Sequence, residues 1–262
     1  MLTKPKGTMM YLEERRRVLL NRVRQLGRVD VATAAAELDV TTETVRKDLV
    51  HLERQGFVTR THGGAIPVQR LGFEPANAVR QSVMTDEKMR IAQAAIAELP
   101  EDGAILIDAG TTTALMPRFF DPDTRLRVVT NSLHIMNELS AFPNVTLMHL
   151  GGVFRPISQS TVGPWAVAAL RELRIDVAFI GANGFSVDHG LTTSDQAEAE
   201  CKQAMVRASR RSVALLDHSK IGAEYFHRFA EPSGVDVIVT DSGIDRDLLD
   251  DLRQSVDHIV VA

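Results

Sequence analysis

The stretch Val40-Thr41-Thr42-Glu43-Thr44-Val45-Arg46-Lys47-Asp48-Leu49 decides the fold of the N-terminal part of this 262-residue chain. A threonine at its start is a typical helix cap, and Val45, Leu49 and Leu52 recur at the spacing of one apolar helix face. The sequence therefore predicts an amphipathic helix of about a dozen residues that starts at Thr41 or Thr42. Five polar side chains are left to point away from its core: Thr42, Thr44, Arg46, Lys47 and His51.

The segments on either side of this helix complete a winged helix-turn-helix. Tyr11–Leu26 predicts a first helix, and the alanine-rich Ala32–Leu38 predicts a second one. Asp39-Val40 forms the turn, and the residues from Phe57 to Gly64 read as a strand, a tight turn and a return strand. The first helix also carries an arginine-rich face, made of Arg15, Arg16, Arg17, Arg22 and Arg24. A purely structural three-helix unit is the alternative, and the basic surface and the wing argue against it.

In the helix-turn-helix plan the second helix of the pair enters the major groove with its N-terminal residues at the base edges. Short polar side chains let the backbone approach, and Arg46 or Lys47 can bond a guanine edge or a phosphate. Asp48 does not suit a DNA surface, so we interpret it as internal, paired with a basic neighbour or bonded to main-chain groups. The candidate DNA-binding residues are Arg28, Thr41, Thr42, Thr44, Arg46, Lys47, Arg60 and His62.

Charge and composition agree with a DNA-binding end on an acidic body. Residues 1–70 contain 13 Lys and Arg against 8 Asp and Glu, whereas the whole chain has a net charge of −4. Ordinary surface variation could produce this asymmetry, so charge alone does not decide the matter. No apolar run is long enough for a membrane span, and the lone Cys201 excludes an internal disulfide. We expect a cytoplasmic, nucleoid-associated protein.

The remainder of the chain alternates between apolar strands and helices, which predicts a mainly parallel α/β domain. We expect a DNA-binding domain at 10–65, a linker at 66–85 and an effector-binding domain at 86–262. The predicted helices are Glu87–Leu99, Leu115–Phe120, Leu133–Ser140, Trp165–Arg174, Glu198–Ser209 and Asp245–Gln254. The predicted strands are Ala104–Ile107, Leu126–Thr130, Val145–Leu150, Val177–Ile180, Ser212–Leu216, Val235–Thr240 and His258–Val261.

Polar residues follow five of these strands, and ligands of parallel sheets bind at the carboxyl ends of strands. Each group alone could be ordinary turn chemistry, but five at one edge would suit a phosphorylated polyol. The candidate effector-binding residues are Asp108, Gly110, Thr111, Thr112, Thr113, Asn131, Ser132, Gly151, Gly152, Arg155, Asn183, Glu198, Lys202, Asp217 and Lys220. Lys202 is the candidate cation for the phosphate. Its spacing from Glu198 would also fit a simple surface ion pair on a helix.

Both halves of the chain resemble the DeoR family of bacterial regulators. The N-terminal resemblance lies in Glu14-Arg15-Arg16, Gly27-Arg28-Val29, Val40–Leu49, Leu52-Glu53 and Gly56–Ala65. Val45 and Lys47, where the family often has Ile and Arg, keep the chemical character. The C-terminal resemblance lies in Asp108–Thr113, Thr130-Asn131-Ser132, Gly151-Gly152, Gly181-Ala182-Asn183-Gly184, Glu198-Ala199, Lys202 and Asp217–Lys220. It implies a sensor domain related to ribose-5-phosphate isomerase that binds a sugar phosphate.

That relationship raises an enzyme as the alternative function. In the isomerases, the segment resembling Gly181–Gly184 carries an acidic pair, but this chain has Asn183 and Gly184 there. Neither residue can act as a base at neutral pH, which favours a sensor over an isomerase with an accessory DNA-binding domain. Asp108, Glu198 or Asp217 could still supply a base.

We therefore expect a non-enzymatic repressor of sugar uptake or catabolism genes, with no cofactor, no metal site and no membrane association. Its expected partners are a double-stranded DNA operator, a small phosphorylated sugar and further copies of itself. One recognition helix contacts few base pairs, so a homodimer or homotetramer reading two half-sites is the expected assembly.

Overall fold

The computed structural model describes residues 11–26, 28–55, 57–61, 63–67, 74 and 76–262. The chain divides into two compact units, residues 1–70 and 71–262.

The N-terminal unit contains three helices and a small antiparallel sheet. The elements are α1 (Leu12–Leu26), β1 (Val29–Asp30), α2 (Val31–Leu38), α3 (Thr42–Arg54), β2 (Val58–Thr61) and β3 (Gly64–Pro67). The strands lie in the order β1-β3-β2, so the wing is the β2–β3 hairpin with β1 added along β3. The three predicted helices form within a residue or two of their expected bounds.

Helix α3 begins where the sequence predicts because two residues define the preceding turn. Asp39 ends α2 in the left-handed region at φ 52°, a conformation that Asp tolerates better than most residues. Thr41 caps α3, and its hydroxyl accepts a hydrogen bond from the Thr44 amide at 3.2 Å. Val45, Leu49 and Leu52 are buried, which confirms the predicted apolar face.

The prediction of an outward basic face on α1 is wrong for two of its arginines. Arg15 is buried and its Nε donates to Asp48 at 2.6 Å, while Arg16 Nε donates to the other oxygen of Asp48 at 3.1 Å. Arg22 pairs with Glu37 of α2. Asp48 is only 1% exposed, so two guanidinium groups turn inward to compensate a buried carboxylate. The interpretation of Asp48 as an internal residue paired with basic neighbours is confirmed.

The C-terminal unit is built on a seven-stranded sheet in which every neighbouring pair is parallel. Its order is β15-β14-β12-β9-β4-β5-β6. These strands are β4 (Ala104–Ile107), β5 (Arg127–Thr130), β6 (Thr146–His149), β9 (Ile175–Ile180), β12 (Ser209–Leu215), β14 (Val237–Thr240) and β15 (His258–Val261). All seven predicted strands are present, so the expected mainly parallel α/β architecture is confirmed.

Helices cover both faces of this sheet. They are α5 (Thr85–Ala94), α6 (Leu133–Leu139), α7 (Pro164–Arg171), α8 (Gln196–Ala208) and α9 (Arg246–Ser255), and they are preceded by the short helix α4 (Asn77–Gln81), which has no buried residue. Two hydrophobic cores result, one around Phe185 and Met205 and the other around Phe179 and Met116. Cys201 lies in the first core, where burial raises the pKa of its thiol to about 12.

Several short elements were not expected from the sequence. A hairpin pairs β7 (Val153–Arg155) with β8 (Ser160–Val162), and a second antiparallel sheet contains β10 (Gly184–Ser186), β11 (Gly190–Thr193) and β13 (His227–Ala230). Helix α4 lies inside the segment expected to be a linker, of which residues 68–73 and 75 lie outside the described residues. The expected helix Leu115–Phe120 is instead a 3₁₀ helix at Thr113–Phe119 that contains Pro117.

In the part of the chain that the structure describes, no helix is both long and apolar enough to cross a bilayer. Within the same residues, no group of three or more His, Cys, Asp and Glu side chains is arranged to hold a metal ion.

Candidate functional site

The N-terminal end of α3 presents an exposed polar and basic surface. Thr42, Arg46 and Lys47 are exposed, and Arg46 lies 3.9 Å from the exposed Glu43 of the same helix. Lys47 forms no ion pair with any described residue. Thr41 and Thr44 are exposed and half-buried, respectively, and their hydroxyls bond each other at 2.8 Å as part of the cap. Arg46 and Lys47 are therefore the basic side chains that the N-terminal half of this helix presents to solvent.

The other candidate DNA-binding residues differ in whether another residue of the protein already binds their side chains. Arg28 is exposed directly before β1. Arg60 lies on the wing, but its Nε donates to Glu53 of α3 at 2.8 Å and its backbone amide donates to the same carboxylate at 2.9 Å. These two bonds lower the pKa of Glu53 and hold the wing strand β2 against α3. His62 lies outside the described residues.

The C-terminal unit has a topological switch point between β4 and β9. From β4 the chain continues to β5 and β6 on one side, while β9, β12, β14 and β15 follow on the other side. A crevice forms at such a point outside the carboxyl ends of the strands, where doubly wound proteins bind ligands. Asp108 directly follows β4 and Gly181 directly follows β9, so the first predicted site residue lies at this crevice.

Asp108 and Lys202 form a buried ion pair at the switch point. Asp108 is 1% exposed and Lys202 2% exposed, and the Lys202 ammonium donates to Asp108 Oδ2. The same ammonium donates to the Gly181 carbonyl at 2.9 Å and lies 3.6 Å from Glu198 Oε1. Both Glu198 and Lys202 are buried, which excludes the surface-pair interpretation. The sequence suggested Lys202 as the cation for a phosphate. Its ammonium already has acceptors inside the protein, so Lys202 is poorly suited to that role.

The charges of this pair follow from burial and proximity. Burial alone would lower the pKa of Lys202, but the carboxylates of Asp108 and Glu198 outweigh it, so its pKa is raised. Burial raises the pKa of Glu198, against the opposing effect of the Lys202 ammonium. Lys202 therefore stays charged, whereas Glu198 binds a proton more readily than an exposed glutamate.

The Asp108–Thr113 loop offers two free hydroxyls. Thr113 Oγ1 donates to the Asp108 carbonyl at 2.6 Å, which folds the loop on itself. The hydroxyls of Thr111 and Thr112 have no hydrogen-bond partner among the described residues. A Cβ at position 110 would lie 2.9 Å from Thr113 Oγ1, so a side chain there would push this hydroxyl out of its present position. Thr111 and Thr112 are thus the members of this loop that can serve a ligand.

The polar side chains after β5 form hydrogen bonds within the protein. Asn131 Oδ1 accepts from the Ala109 amide at 2.9 Å, and its Nδ2 donates to the Thr161 carbonyl at 3.3 Å. Ser132 caps α6 by accepting from the Ile135 amide. Both therefore support the shape of the crevice rather than present a free polar group to it.

Asn183 and Gly184, which follow β9, have structural roles. Asn183 Oδ1 accepts from the Thr193 hydroxyl at 3.0 Å. Gly184 begins β10 where the chain passes so close to Ala223 that a Cβ would lie 2.3 Å from its carbonyl oxygen. An acidic side chain at position 184 has no space in this arrangement.

Gly151 and Gly152 are exposed at the start of the β7–β8 hairpin. Gly152 has φ +135°, and a Cβ there would lie 2.4 Å from the Val162 carbonyl oxygen, so the position requires glycine for the turn. The structure does not bring either glycine into the network around Lys202.

Arg155 connects the hairpin to α8 through carboxylates. Its guanidinium lies 3.2 Å from Glu198, 3.5 Å from Asp195 and 2.7 Å from Glu74. Burial would lower the pKa of Arg155, but its bond to Glu74 and the nearby carboxylates raise it instead. Through Glu198, the predicted residue Arg155 joins the Asp108–Lys202 pair in one continuous polar network.

A further group of charges surrounds Lys220 at the end of β12. Asp217 accepts from the Ser219 amide at 3.2 Å, which caps the short 3₁₀ helix. The Lys220 ammonium has no hydrogen bond or ion pair with a described residue. Burial lowers its pKa, and Asp217 raises it in part. Lys220 is thus the predicted site residue whose positive charge is available to a ligand.

Three charged residues of this region were missed by the sequence reasoning: Glu74, Arg80 and Lys88. Glu74 and Arg80 come from the expected linker and Lys88 from the predicted helix Glu87–Leu99, and none of them follows a predicted strand, which was the criterion for a site residue. Lys88 donates to the carbonyls of Arg80 and, at 2.7 Å, of Val83, and burial lowers its pKa to about 8. Arg80 lies 3.1 Å from Glu74.

Family models match both parts of the chain. Residues 15–70 match the DeoR-like helix-turn-helix domain, and residues 83–242 match the DeoR C-terminal sensor domain. The regulator GlpR of Haloferax volcanii is 32% identical over 94% of this chain and 96% of its own length. The repressor GlcR of Bacillus subtilis is 30% identical over 88% of this chain and 89% of its own length.

Solved structures show a more distant similarity. The ribose 5-phosphate isomerase A of Neisseria gonorrhoeae aligns with 55% of this chain and 56% of its own, at 20% identity and a TM-score of 0.38. The relatives that match along nearly the whole chain are named as transcriptional regulators, so the isomerase alternative is not favoured. The chain belongs to the DeoR family of helix-turn-helix transcriptional regulators.

Proposed function

We propose that this regulator represses genes of sugar uptake or catabolism and that a phosphorylated sugar, bound at the strand-end crevice of the sensor unit, relieves the repression. Repression, rather than activation, is supported by the similarity to GlcR, whose name describes it as a transcriptional repressor. On this proposal the protein acts on DNA in the cytoplasm, without a cofactor.

One observation carries the effector assignment. The buried Asp108–Lys202 pair lies at the switch point, and three polar groups at strand ends have no partner among the described residues: the Thr111 and Thr112 hydroxyls after β4 and the Lys220 ammonium after β12. Hydroxyls and carboxylates bind the hydroxyls of a sugar, and a cation without a carboxylate partner attracts a phosphate. Asp108 and Glu198 are tied to Lys202, which suits binding better than proton transfer.

The effector assignment is tested by thermal unfolding of the full chain with a panel of pentose and hexose phosphates. A ligand that binds only the folded state at 100 times its Kd stabilises it by about 2.7 kcal/mol. We expect at least one phosphorylated sugar to raise the Tm and its unphosphorylated counterpart to have no effect. Lys220→Met should weaken this response, while Lys47→Ala, in the DNA-binding unit, serves as the matched control. Equal shifts with sugars that lack phosphate would contradict the proposal.

For the DNA-binding unit we propose that Arg46 reads a base and that Lys47 and Arg28 contact phosphates. An operator can be selected from random duplexes with the purified chain. Arg46→Ala should weaken binding to that operator by about 1–3 kcal/mol and relax its sequence preference. Lys47→Ala should weaken binding to all duplexes alike and reduce the salt dependence. Unchanged selectivity in Arg46→Ala would show that another residue reads the operator.

We further propose that the active form is a homodimer or homotetramer whose recognition helices read two half-sites. Residues 66–85 join the two units in sequence and would transmit the effector's influence, for which a coupling of about 1–3 kcal/mol suffices. Light scattering of the free protein and a selected operator with two repeated half-sites would support this assembly. A monomer that binds a single half-site at full affinity would exclude it.

A further inference from the structure

The Glu74 carboxylate lies between two arginines, and for one of them, Arg80, it is the only carboxylate partner in the described ranges. Glu74 is 7% exposed, and its Oε2 lies 2.7 Å from Nη2 of Arg155. Its Oε1 lies 3.1 Å from Nη2 of Arg80, and the Ser194 hydroxyl donates to Oε2 at 3.1 Å. Two cations and one hydroxyl from three separate segments thus converge on a single carboxylate.

The hydrogen bonds between this carboxylate and its partners are incomplete. Oε1 of Glu74 and Nε of Arg80 are both buried, and neither has a hydrogen-bond partner among the described residues. The contact between Arg80 and Glu74 is therefore one of charge without an aligned hydrogen bond. Arginine offers a planar fork of donors that phosphate oxygens match in pairs. A phosphate brings three terminal oxygens to this position, where the carboxylate brings two.

The balance of charge also calls for an anion at this position. Arg155 has Glu198 and Asp195 as further partners, but Arg80 pairs with no other carboxylate in the described ranges. Without Glu74, a mostly buried guanidinium would be left without a counter-ion, which is costly. Lys220 lies within electrostatic reach of this group, since the charge of Arg80 lowers the pKa of Lys220 and that of Glu74 raises it. The site thus requires a negative group, and Glu74 supplies it in the free sensor.

We propose that Glu74 is an internal competitor of the effector: its carboxylate occupies the position of an anionic group, and a phosphomonoester binds Arg80 and Arg155 by displacing it. This inference rests on the proposed function, because it concerns the same crevice. It assigns Arg80, Arg155 and Ser194 to the phosphate. It also makes Glu74, which touches no ligand in the bound state, a residue that sets the threshold of the response.

The test measures phosphate binding by the full-length chain when the competing charge is removed. Glu74→Gln keeps the size of the side chain and loses its charge, so we expect inorganic phosphate to bind at least tenfold more tightly than to the unmodified chain. Glu200→Gln removes a charge from an exposed glutamate of α8 and is the matched control, with no expected change. Adding Arg80→Met to Glu74→Gln should abolish the gain. Calorimetric titration with inorganic phosphate, and with the sugar phosphate found in the thermal panel, gives each affinity.

The outcomes separate this inference from the proposed function. If a sugar phosphate binds the unmodified chain but Glu74→Gln binds phosphate no more tightly, the competitor role is overturned and the effector assignment stands. If Glu74→Gln binds inorganic phosphate tightly while no sugar phosphate binds either protein, the competitor role holds and the effector class is wrong. If neither protein binds any phosphorylated compound, both are overturned. If Glu74→Gln does not fold, Glu74→Asp replaces it in the test. The aspartate carboxylate reaches less far towards the two arginines, so this variant should also bind phosphate more tightly than the unmodified chain. Unchanged phosphate binding by Glu74→Asp would overturn the competitor role.

Discussion

Replacing Lys202 with methionine should destabilise the sensor unit strongly. The substitution keeps an unbranched side chain of similar length but removes the ammonium that neutralises Asp108. Asp108 is 1% exposed, and the other donor to its Oδ2 among the described residues is the Gly181 amide at 3.2 Å. Removing one partner of a buried ion pair costs about 3–5 kcal/mol, because the remaining charge is left without compensation. For a unit of this size each kcal/mol lowers the Tm by about 2–4 °C, so we expect a decrease of roughly 6–20 °C.

Scanning calorimetry of the full chain measures this decrease, and hydrogen exchange assigns it to β4 and β9. The control is the double variant Lys202→Met with Asp108→Asn, which removes both charges and should recover more than half of the lost stability. Glu198 should be affected less than Asp108, because burial already raises its pKa and it can take up a proton. A single variant within about 1 kcal/mol of the unmodified chain would refute the reasoning, since that is less than a broken buried pair costs. A double variant no more stable than the single one would refute it as well.

Three further changes test other parts of the structure. Asp48→Ala should destabilise the DNA-binding unit by about 3 kcal/mol, because it leaves two inward-facing arginines without a counter-ion. Urea denaturation measures this loss, and Glu43→Ala, at an exposed position of the same helix, is the control. Gly184→Ala should cost about 1–3 kcal/mol, since its Cβ would lie 2.3 Å from the Ala223 carbonyl oxygen, and a Tm equal to that of the unmodified chain would contradict the close approach. Burial lowers the pKa of Lys88 from 10.5 to about 8, so the unfolded chain binds more protons between these values and stability should rise with pH across that window. The rise from this residue is at most about 3 kcal/mol, and urea midpoints at pH 8, 9 and 10 should show it shrinking in Lys88→Met.

The seven-stranded sheet could be predicted because most of its strands contain a run of β-branched and aliphatic residues, such as Ala104–Ile107 and Val237–Thr240. Ala104–Ile107 and His258–Val261 match their expected bounds, although the first is largely buried and the second lies half-exposed at the edge of the sheet. The antiparallel pieces could not be predicted in the same way. Gly184–Ser186 and Val153–Arg155 are three residues long and are held by backbone pairing, which leaves no periodic pattern in the sequence.

The candidate sites show a different limit of sequence reasoning. The expectation that polar strand ends lie at one edge selects Asp108 and Lys220, and Lys202 is added from a helix, but the sequence does not tell which of these side chains bind one another within the protein. Lys202 appeared to be a free cation, whereas a carboxylate 94 residues away in sequence binds it. Arg15 likewise looked exposed, and Asp48 turns it inward across 33 residues. Such pairings depend on how distant segments pack, and local spacing carries no information about them.

The inward position of Asp48 has a consequence for how regulators of this kind diversify. The polar residue that anchors α3 to α1 faces the interior, while Thr42, Arg46 and Lys47 project from the same helix into solvent. Exposed substitutions away from caps and buried pairs usually change stability by less than about 0.5 kcal/mol. After a gene duplication, a copy can therefore acquire a new target sequence through a few exchanges at these outward positions while keeping the same scaffold. The same separation makes the helix a practical starting point for engineering new DNA specificities.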